Sequence, residues 1–243
     1  MNTKPQISII TPVWDVADLT KQFCGAILDH TTKPINELII IDNGSQDETP
    51  YYLKAKQKDY PDRLTIITNK ENRGYSAALN QGLQIANGEY LVCTNNDIWF
   101  YSADWLRQLI APLQINKKRL AGPRYIDYND LTEIDGQIVP YLEGWMLAFH
   151  RQFLKDVGYF CEGFFAWYED VDISVRALAR GYGLVQVENL PILHLYGKTA
   201  IRGPHFADCD VPGTSIRSQA LFRKKYKEKD YGICKPGCVH SRV

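Results

Sequence analysis

Apolar residues in the first hundred positions follow two alternating rhythms. Short runs at 6–11, 37–42, 64–68 and 90–93 are rich in Ile, Leu and Val and stop at polar residues. Runs of this length bounded by turn formers read as buried strands. The branched run at 37–42 is apolar on both faces, as in a parallel sheet. Pro12 is expected to end the first strand, because proline cannot donate to a ladder. Between the runs, apolar positions recur every three or four residues. In 18–29, Leu19, Phe23, Ala26 and Ile27 share one helical face. A second helix runs from the turn at 42–47 to Tyr60, where Pro61 stops it, and a third covers 75–86 with Gly88 just beyond. Strand and helix thus alternate four times, the pattern of a parallel, doubly wound α/β sheet.

The second half is less regular. A helix is predicted over 103–115, with Trp105, Leu106, Leu109 and Ile110 on its apolar face. Residues 120–139 read as short turns with one hairpin through 133–138. A strand at 145–149 and a short helix at 151–157 lead to an aromatic and Gly-rich stretch at 160–168. Glu169 opens a helix that runs to Arg180, its acidic first turn suited to the helix dipole. Gly181 and Gly183 end that helix, and short strands follow at 184–187 and 191–194. Asp172 and Arg176, four apart on one helix, are expected to pair. From Ser215 the chain reads as a basic helix and loose tail, with Lys224, Lys225, Lys227 and Lys229 on a solvated face. The expected organisation is one domain over 1–214, divided near residue 100, and a C-terminal helix and tail over 215–243.

Composition narrows the function. The 243 residues carry 28 basic and 28 acidic side chains. That balance argues against a nucleic-acid partner held by phosphate electrostatics. No apolar run approaches the ~20 residues of a membrane span, and no signal-peptide core precedes the first strand. The expectation is a cytoplasmic protein, with room for peripheral membrane contact. The six cysteines, Cys24, Cys93, Cys161, Cys209, Cys234 and Cys238, are then reduced thiols. Cys234, Cys238 and His240 resemble a metal knuckle, but a second close cysteine pair is missing, so a flexible tail is the first reading.

Each early strand ends in polar residues: Thr11-Pro12, Asp42-Asn43, Asn69 with Asn72-Arg73, and Asn95-Asn96-Asp97. Ligands of open α/β sheets bind at such strand ends. Neither G-x-G-x-x-G nor a P-loop follows the first strand. A carboxylate flanked by amides suits a hard cation, although taken alone Asn95-Asn96-Asp97 reads first as a turn.

Six segments in order resemble the family 2 glycosyltransferases, which have the GT-A fold. They are Ile9-Ile10-Thr11-Pro12-Val13-Trp14-Asp15, the acidic motif Ile41-Asp42-Asn43-Gly44-Ser45, Asn72-Arg73-Gly74-Tyr75, the Asn95-Asn96-Asp97 counterpart of Asp-x-Asp, Trp167-Tyr168-Glu169-Asp170-Val171-Asp172, and His194. The resemblance implies an inverting sugar transfer from a nucleotide-sugar with Mn²⁺ or Mg²⁺. It implies that Pro12, Val13 and Trp14 edge the base and that Asp42 accepts a hydrogen bond from it. Asn72, Arg73 and Asn80 would line the nucleotide-sugar, and Asn95 and Asn96 would reach the ribose or a metal-bound water. Asp97 and His194 would hold the metal. Asp170 would be the base, with Glu169 as the next candidate, and Trp145 and Trp167 would form an acceptor platform. The sequence departs from the family in carrying Asn95 where an aspartate is usual, which lowers the charge on the metal. A UDP- or dTDP-sugar is the expected donor, and a glycan, lipid-linked sugar or peptide the acceptor; the C-terminal helix is the first candidate surface for a homo-oligomer. Two competing readings are a nucleotidyltransferase, which would want a Gly-rich basic loop after the first strand, and a non-catalytic nucleotide-sugar-binding protein.

Overall fold

The four apolar runs of the first half form the parallel part of the sheet. In the computed structural model, which describes residues 6–30, 35–127, 132–195 and 211–238, they are β1 (Ile7–Val13), β2 (Ile35–Asp42), β3 (Leu64–Thr68) and β4 (Tyr90–Thr94). β1 lies between β2 and β4 and is parallel to both, and β3 adds parallel to β2. β1 continues through Pro12, which pairs with Ile41. Its pairing with β4 ends at Ile10, so on that side Pro12 faces no ladder that needs its missing N–H.

The second half extends the same sheet. β6 (Arg119–Gly122), β11 (Met146–His150) and β12 (Gly183–Gln186) complete seven strands in the order β12-β6-β11-β4-β1-β2-β3. β11 runs antiparallel to both of its neighbours, and β12 is parallel to β6. The strand order reverses at β1, and the carboxyl ends of β1 and β4 open a crevice there. Among the described residues three short pairs lie outside the sheet: β5 (Ile98–Phe100) with β13 (Ile192–His194), β7 (Tyr125–Ile126) with β10 (Tyr141–Leu142), and β8 (Glu133–Ile134) with β9 (Gln137–Ile138). The last is the expected hairpin. Its two turn residues, Asp135 and Gly136, both take positive φ, as a two-residue I′ turn requires.

Alternation along the strands divides the core into two layers. Ile7, Ile9, Leu38, Ile40 and Val92 face one side, with α1 (Ala17–Cys24), α2 (Thr49–Asp59) and α4 (Trp105–Ile115). Ile10, Ile39, Ile41, Leu91 and Cys93 face the other, with α3 (Tyr75–Ile85), α5 (Gln152–Asp156) and α6 (Glu169–Ala179). The helix expected over 18–29 is α1 followed by a π-helical turn, Gly25–His30. α3 sits close on the sheet at Gly82, where an added Cβ would lie 2.5 Å from the Ile10 side chain. Among the described residues no helix is long and apolar enough to cross a membrane.

The C-terminal part differs from expectation. α7 (Val211–Lys227) presents Leu221, Phe222 and Tyr226 to Phe164, Val171 and Val175, forming a third apolar cluster. Lys224, Lys227 and Lys229 are exposed as predicted, but Lys225 is only 3% exposed. Its ammonium lies 2.6 Å from Asp172 Oδ1, a partner too distant in sequence for local charge patterning to indicate. The segment after α7 is packed rather than loose: Cys234 is buried, and its carbonyl accepts the Tyr159 N–H at 2.9 Å. Cys209 and His240 lie outside the described residues.

Candidate active site

The loops after β1 and β2 are clamped together by Asp15. This buried residue takes a left-handed backbone, and its Oδ1 accepts the N–H groups of Gln46 and Asp47 at 2.7 and 3.3 Å. Ser45 Oγ accepts the Asp15 N–H in return, at 2.8 Å. Asp42 closes β2. Its Oδ1 accepts the Ser45 N–H at 3.0 Å, and its Oδ2 is buried without a hydrogen-bond partner. Burial raises the Asp42 carboxyl above its ordinary range against the pull of the Ser45 hydrogen bonds. Trp14 and Pro12 are half-buried at this rim. Val13, expected beside the base, instead turns its side chain into the core.

An amide network builds the next wall. Asn43 Nδ2 donates to Asn72 Oδ1 at 2.8 Å, and the same Asn72 oxygen accepts the Gly74 N–H at 2.9 Å. The Arg73 N–H donates to Asn43 Oδ1 at 3.1 Å, leaving the Arg73 side chain exposed. Asn80 does not join this wall. It is buried with its Nδ2 on the Phe160 carbonyl at 2.8 Å and its Oδ1 on the Phe160 N–H at 3.0 Å. An amide satisfied on both ends by one distant backbone anchors the loop at 160–168 and does not face a nucleotide.

At the end of β4 the three polar residues part company. The Asn95 N–H donates to the Trp145 carbonyl at 2.9 Å. Asn96 is buried, its Nδ2 donating to Thr20 Oγ1 on α1 at 3.1 Å. Asp97 is buried with Oδ1 3.1 Å from His194 Nε2, brought there by the β5–β13 pairing of Ile98 with His194. Trp145 stacks on the His194 ring with centroids 4.6 Å apart and planes 12° from parallel. Its Nε1–H donates to Glu143 Oε2 at 2.9 Å, and Glu143 pairs with Arg124 at 3.6 Å. One face of Trp145 thus supports the imidazole, and its N–H is taken by Glu143. A carboxylate oxygen and an imidazole nitrogen at this separation fit two ligands of one Mn²⁺ or Mg²⁺, the remaining positions falling to phosphate and water oxygens. Among the described residues no third His, Cys, Asp or Glu joins them.

The acidic start of α6 forms the opposite wall. Trp167 and Tyr168 both take left-handed backbone just before it, and Trp167 is 49% exposed at the mouth. Asp170 Oδ2 accepts the Gly144 N–H at 2.9 Å and Oδ1 the Val171 N–H at 2.8 Å. Burial pushes Asp170 up to about 6 against those donors. Glu169 is pushed up to about 8, by burial and then by the Asp170 charge, and its Oε2 is buried without a partner. Tyr75 joins the walls. Its hydroxyl donates to the Gly144 carbonyl at 3.1 Å, and burial first, then the acidic groups around it, raise it well above its ordinary value. The sequence reading missed Asp15, Tyr75 and Glu143 as site residues. Tyr75 carried a signal, as the aromatic of the Asn72-Arg73-Gly74-Tyr75 segment.

The model of a known family, described as "Glycosyl transferase family 2", matches residues 8–173. The chain belongs to glycosyl transferase family 2. The matched span takes in Asp97, Glu169 and Asp170 and stops short of His194. Among relatives within curated proteins, the putative teichuronic acid biosynthesis glycosyltransferase TuaG of Bacillus subtilis is 32% identical over 96 residues, 40% of this chain and 37% of that protein. The O-antigen biosynthesis protein RfbC of Myxococcus xanthus is 22% identical over 221 residues, 78% of this chain and 17% of that protein. The chain thus spans well under half the length of these relatives. The fold is GT-A, as in two solved structures. One is the mannosyltransferase PcManGT from Pyrobaculum calidifontis in complex with GDP-Man and Mn²⁺, with TM-score 0.66, 21% identity, and 91% of this chain and 70% of that one covered. The other is GalNAc-T7 with UDP, GalNAc and Mn²⁺, with TM-score 0.67, 16% identity, and 79% and 43% covered.

Proposed function

We propose that this family 2 chain transfers a sugar from a nucleoside-diphosphate sugar to an acceptor hydroxyl, by single displacement with inversion. The observation that supports the reading is the continuity through Gly144-Trp145: the Gly144 N–H holds Asp170 at 2.9 Å, and the next residue stacks on His194, 3.1 Å from Asp97. A cation-binding pair and a poised carboxylate thus border one crevice at the sheet's switch point.

Asp97 and His194 would hold the divalent cation, which when bound neutralises charge on the departing diphosphate. Asp42 Oδ2, buried and unpartnered, would accept the imide N–H of uracil or thymine, which favours a UDP- or dTDP-sugar. Trp14 would lie against the base, with Asn72 and Arg73 on the ribose side. Asp170 takes the proton of the attacking hydroxyl. With its carboxyl near 6 it is ionised at neutral pH, and the Gly144 N–H fixes its orientation. Glu169, near 8, keeps its proton at neutral pH and leaves Asp170 as the charged member of the pair. Trp167 would receive the acceptor at the mouth. The absence of a Gly-rich loop after β1 argues against the nucleotidyltransferase reading.

Asp170→Asn tests the reading against a non-catalytic binder. Turnover of the donor is expected to fall by about 10²–10⁴, the usual worth of a general base, with nucleotide affinity unchanged. Turnover near the wild-type level in this variant would remove Asp170 as the base.

A further inference from the structure

The two sides of α7 have different chemistry. Leu221, Phe222 and Tyr226 are buried in the apolar cluster with α6, and Lys225 is buried on Asp172. Ile216, Arg217, Ala220, Arg223, Lys224 and Lys227 are exposed. On a helix these positions fall on the side opposite the buried set. The seventeen residues Val211–Lys227 include neither Asp nor Glu. In a chain that balances 28 basic against 28 acidic side chains, a helix of one sign is a local asymmetry.

The same helix is fastened to the mouth of the crevice. Ser218 Oγ donates to the Ala166 carbonyl at 2.7 Å, and Gln219 Nε2 donates to the Tyr168 hydroxyl at 3.0 Å. These bonds grip the residues on either side of Trp167. Trp167 and Tyr168 both hold a left-handed backbone, which is strained for bulky side chains. Trp167 so held is 49% exposed, and Ile216, two residues before Ser218, is 67% exposed. Two apolar side chains thus stand in solvent at the end of α7 nearest the mouth.

We propose that the outer face of α7 docks the protein on an anionic lipid bilayer, with Ile216 and Trp167 set into its headgroup layer. A face of one sign is drawn to an extended surface of the other sign, where each Lys or Arg adds to the attraction. An isologous contact with a second copy would set positive against positive. A nucleic acid would meet the charges but offers no apolar layer for Ile216. The headgroup region offers both, and an indole beside it finds apolar and polar neighbours at once. Docked in this way, the mouth of the crevice faces the membrane and the acceptor it meets is lipid-linked. That last step rests on the proposed sugar transfer; the docking does not.

The test sediments the full chain with vesicles of phosphatidylcholine, alone or with about one-third phosphatidylglycerol. Binding to the anionic vesicles is expected to be tighter by about 10-fold or more and to weaken as salt is raised. Arg223→Glu, Lys224→Glu and Lys227→Glu combined in one chain should lower it by about 10-fold or more. Lys54→Glu, Lys58→Glu and Lys155→Glu make the same charge change at exposed positions of α2 and α5, and should lower it by less than about 3-fold. Equal binding to the two kinds of vesicle, or equal loss in the two triple variants, would overturn the proposal. So would a lack of vesicle binding in a chain whose α7 charges hold a dimer or an RNA homopolymer instead. The wild-type comparison of neutral and anionic vesicles decides the matter even if a variant does not fold. A rise in Tm with UDP and Mn²⁺ reads the transfer reaction separately: a chain that docks without that rise keeps the docking and loses the lipid-linked acceptor.

Discussion

Trp145 illustrates how one residue type can serve two uses. An indole near a crevice suggests a stacking platform, and here one face lies on His194 and the N–H goes to Glu143. Nothing local in the sequence distinguishes the two uses, because His194 arrives almost fifty residues later. Asn80 is held by a distant backbone, because an amide suits a nucleotide and a peptide group equally well. Asp42, Asp97 and Asp170 are buried where their motifs end strands or open a helix, but buried Asp15 and Asp172 bind loops and helices together, so burial by itself does not mark a site. If Trp145 fixes the imidazole, Trp145→Ala should weaken Mn²⁺ binding by about 10-fold, the low end for loss of a supporting contact. Trp145→Phe should keep most of the affinity, as read by electron paramagnetic resonance of unbound Mn²⁺. Glu169 and Asp170 make a pH prediction. The rate should rise through about pH 6 as Asp170 ionises and change again through about pH 8 as Glu169 ionises. In Glu169→Gln the upper step should vanish and the lower one remain in the profile of kcat/KM. The same shift has a stability side. Glu169 is raised from 4.5 to about 8, so its contribution is full below 4.5 and lost as pH rises through 8. Glu169→Gln should therefore melt higher than wild type at pH 9.

α6 and α7 meet through one buried polar cluster. Asp172 Oδ2 accepts from Arg176 at 2.7 Å, the i,i+4 pair that spacing alone predicts. Asp172 Oδ1 takes Lys225 and the Tyr226 hydroxyl, at 2.6 and 2.8 Å, and neither partner was legible. Burial acts to raise Asp172, but Arg176 and Lys225 outweigh it and hold the carboxyl below its ordinary range. Its contribution to stability is accordingly present above the unfolded carboxylate value and lost as pH falls. Lys225→Ala should cost about 3 kcal/mol, toward the low end for breaking a buried ion pair, because Arg176 remains. Lys224→Ala and Lys227→Ala, on the exposed face, should stay within about 0.5 kcal/mol. Urea titration of the three variants at pH 7 separates the buried lysine from its neighbours.

For the whole molecule, the first half was readable because each strand is a continuous apolar run followed by a helix. In the second half the hairpin, the helices and β11, β12 and β13 were readable as elements, but their places in the sheet were not. β11 enters the sheet between β4 and β6 in antiparallel sense, and two- and three-residue pairs leave too little pattern to announce a partner. What the complete fold supplies is a crevice that should close on a nucleotide as a unit. With Mn²⁺ present and a nucleotide at about a hundred times its Kd, native-state binding adds about 2.7 kcal/mol. For a chain of this size that is a rise in Tm of roughly 5–10 °C. UDP and dTDP should give that rise, and Asp42→Ala should reduce it. No rise with any nucleoside diphosphate would sink the proposed function as a whole.

The β5–β13 ribbon carries a consequence for how the protein is made. As the chain leaves the ribosome, the seventh strand of the main sheet is present once Gln186 has emerged, but His194 has not. The ribbon that sets this histidine on Asp97 joins segments almost a hundred residues apart, and such distant contacts close slowly. Synthesis therefore completes the scaffold before the Asp97–His194 contact, and that contact before the C-terminal clamp on α6. A chain halted between those points would carry the sheet with Asp97 still lacking its histidine.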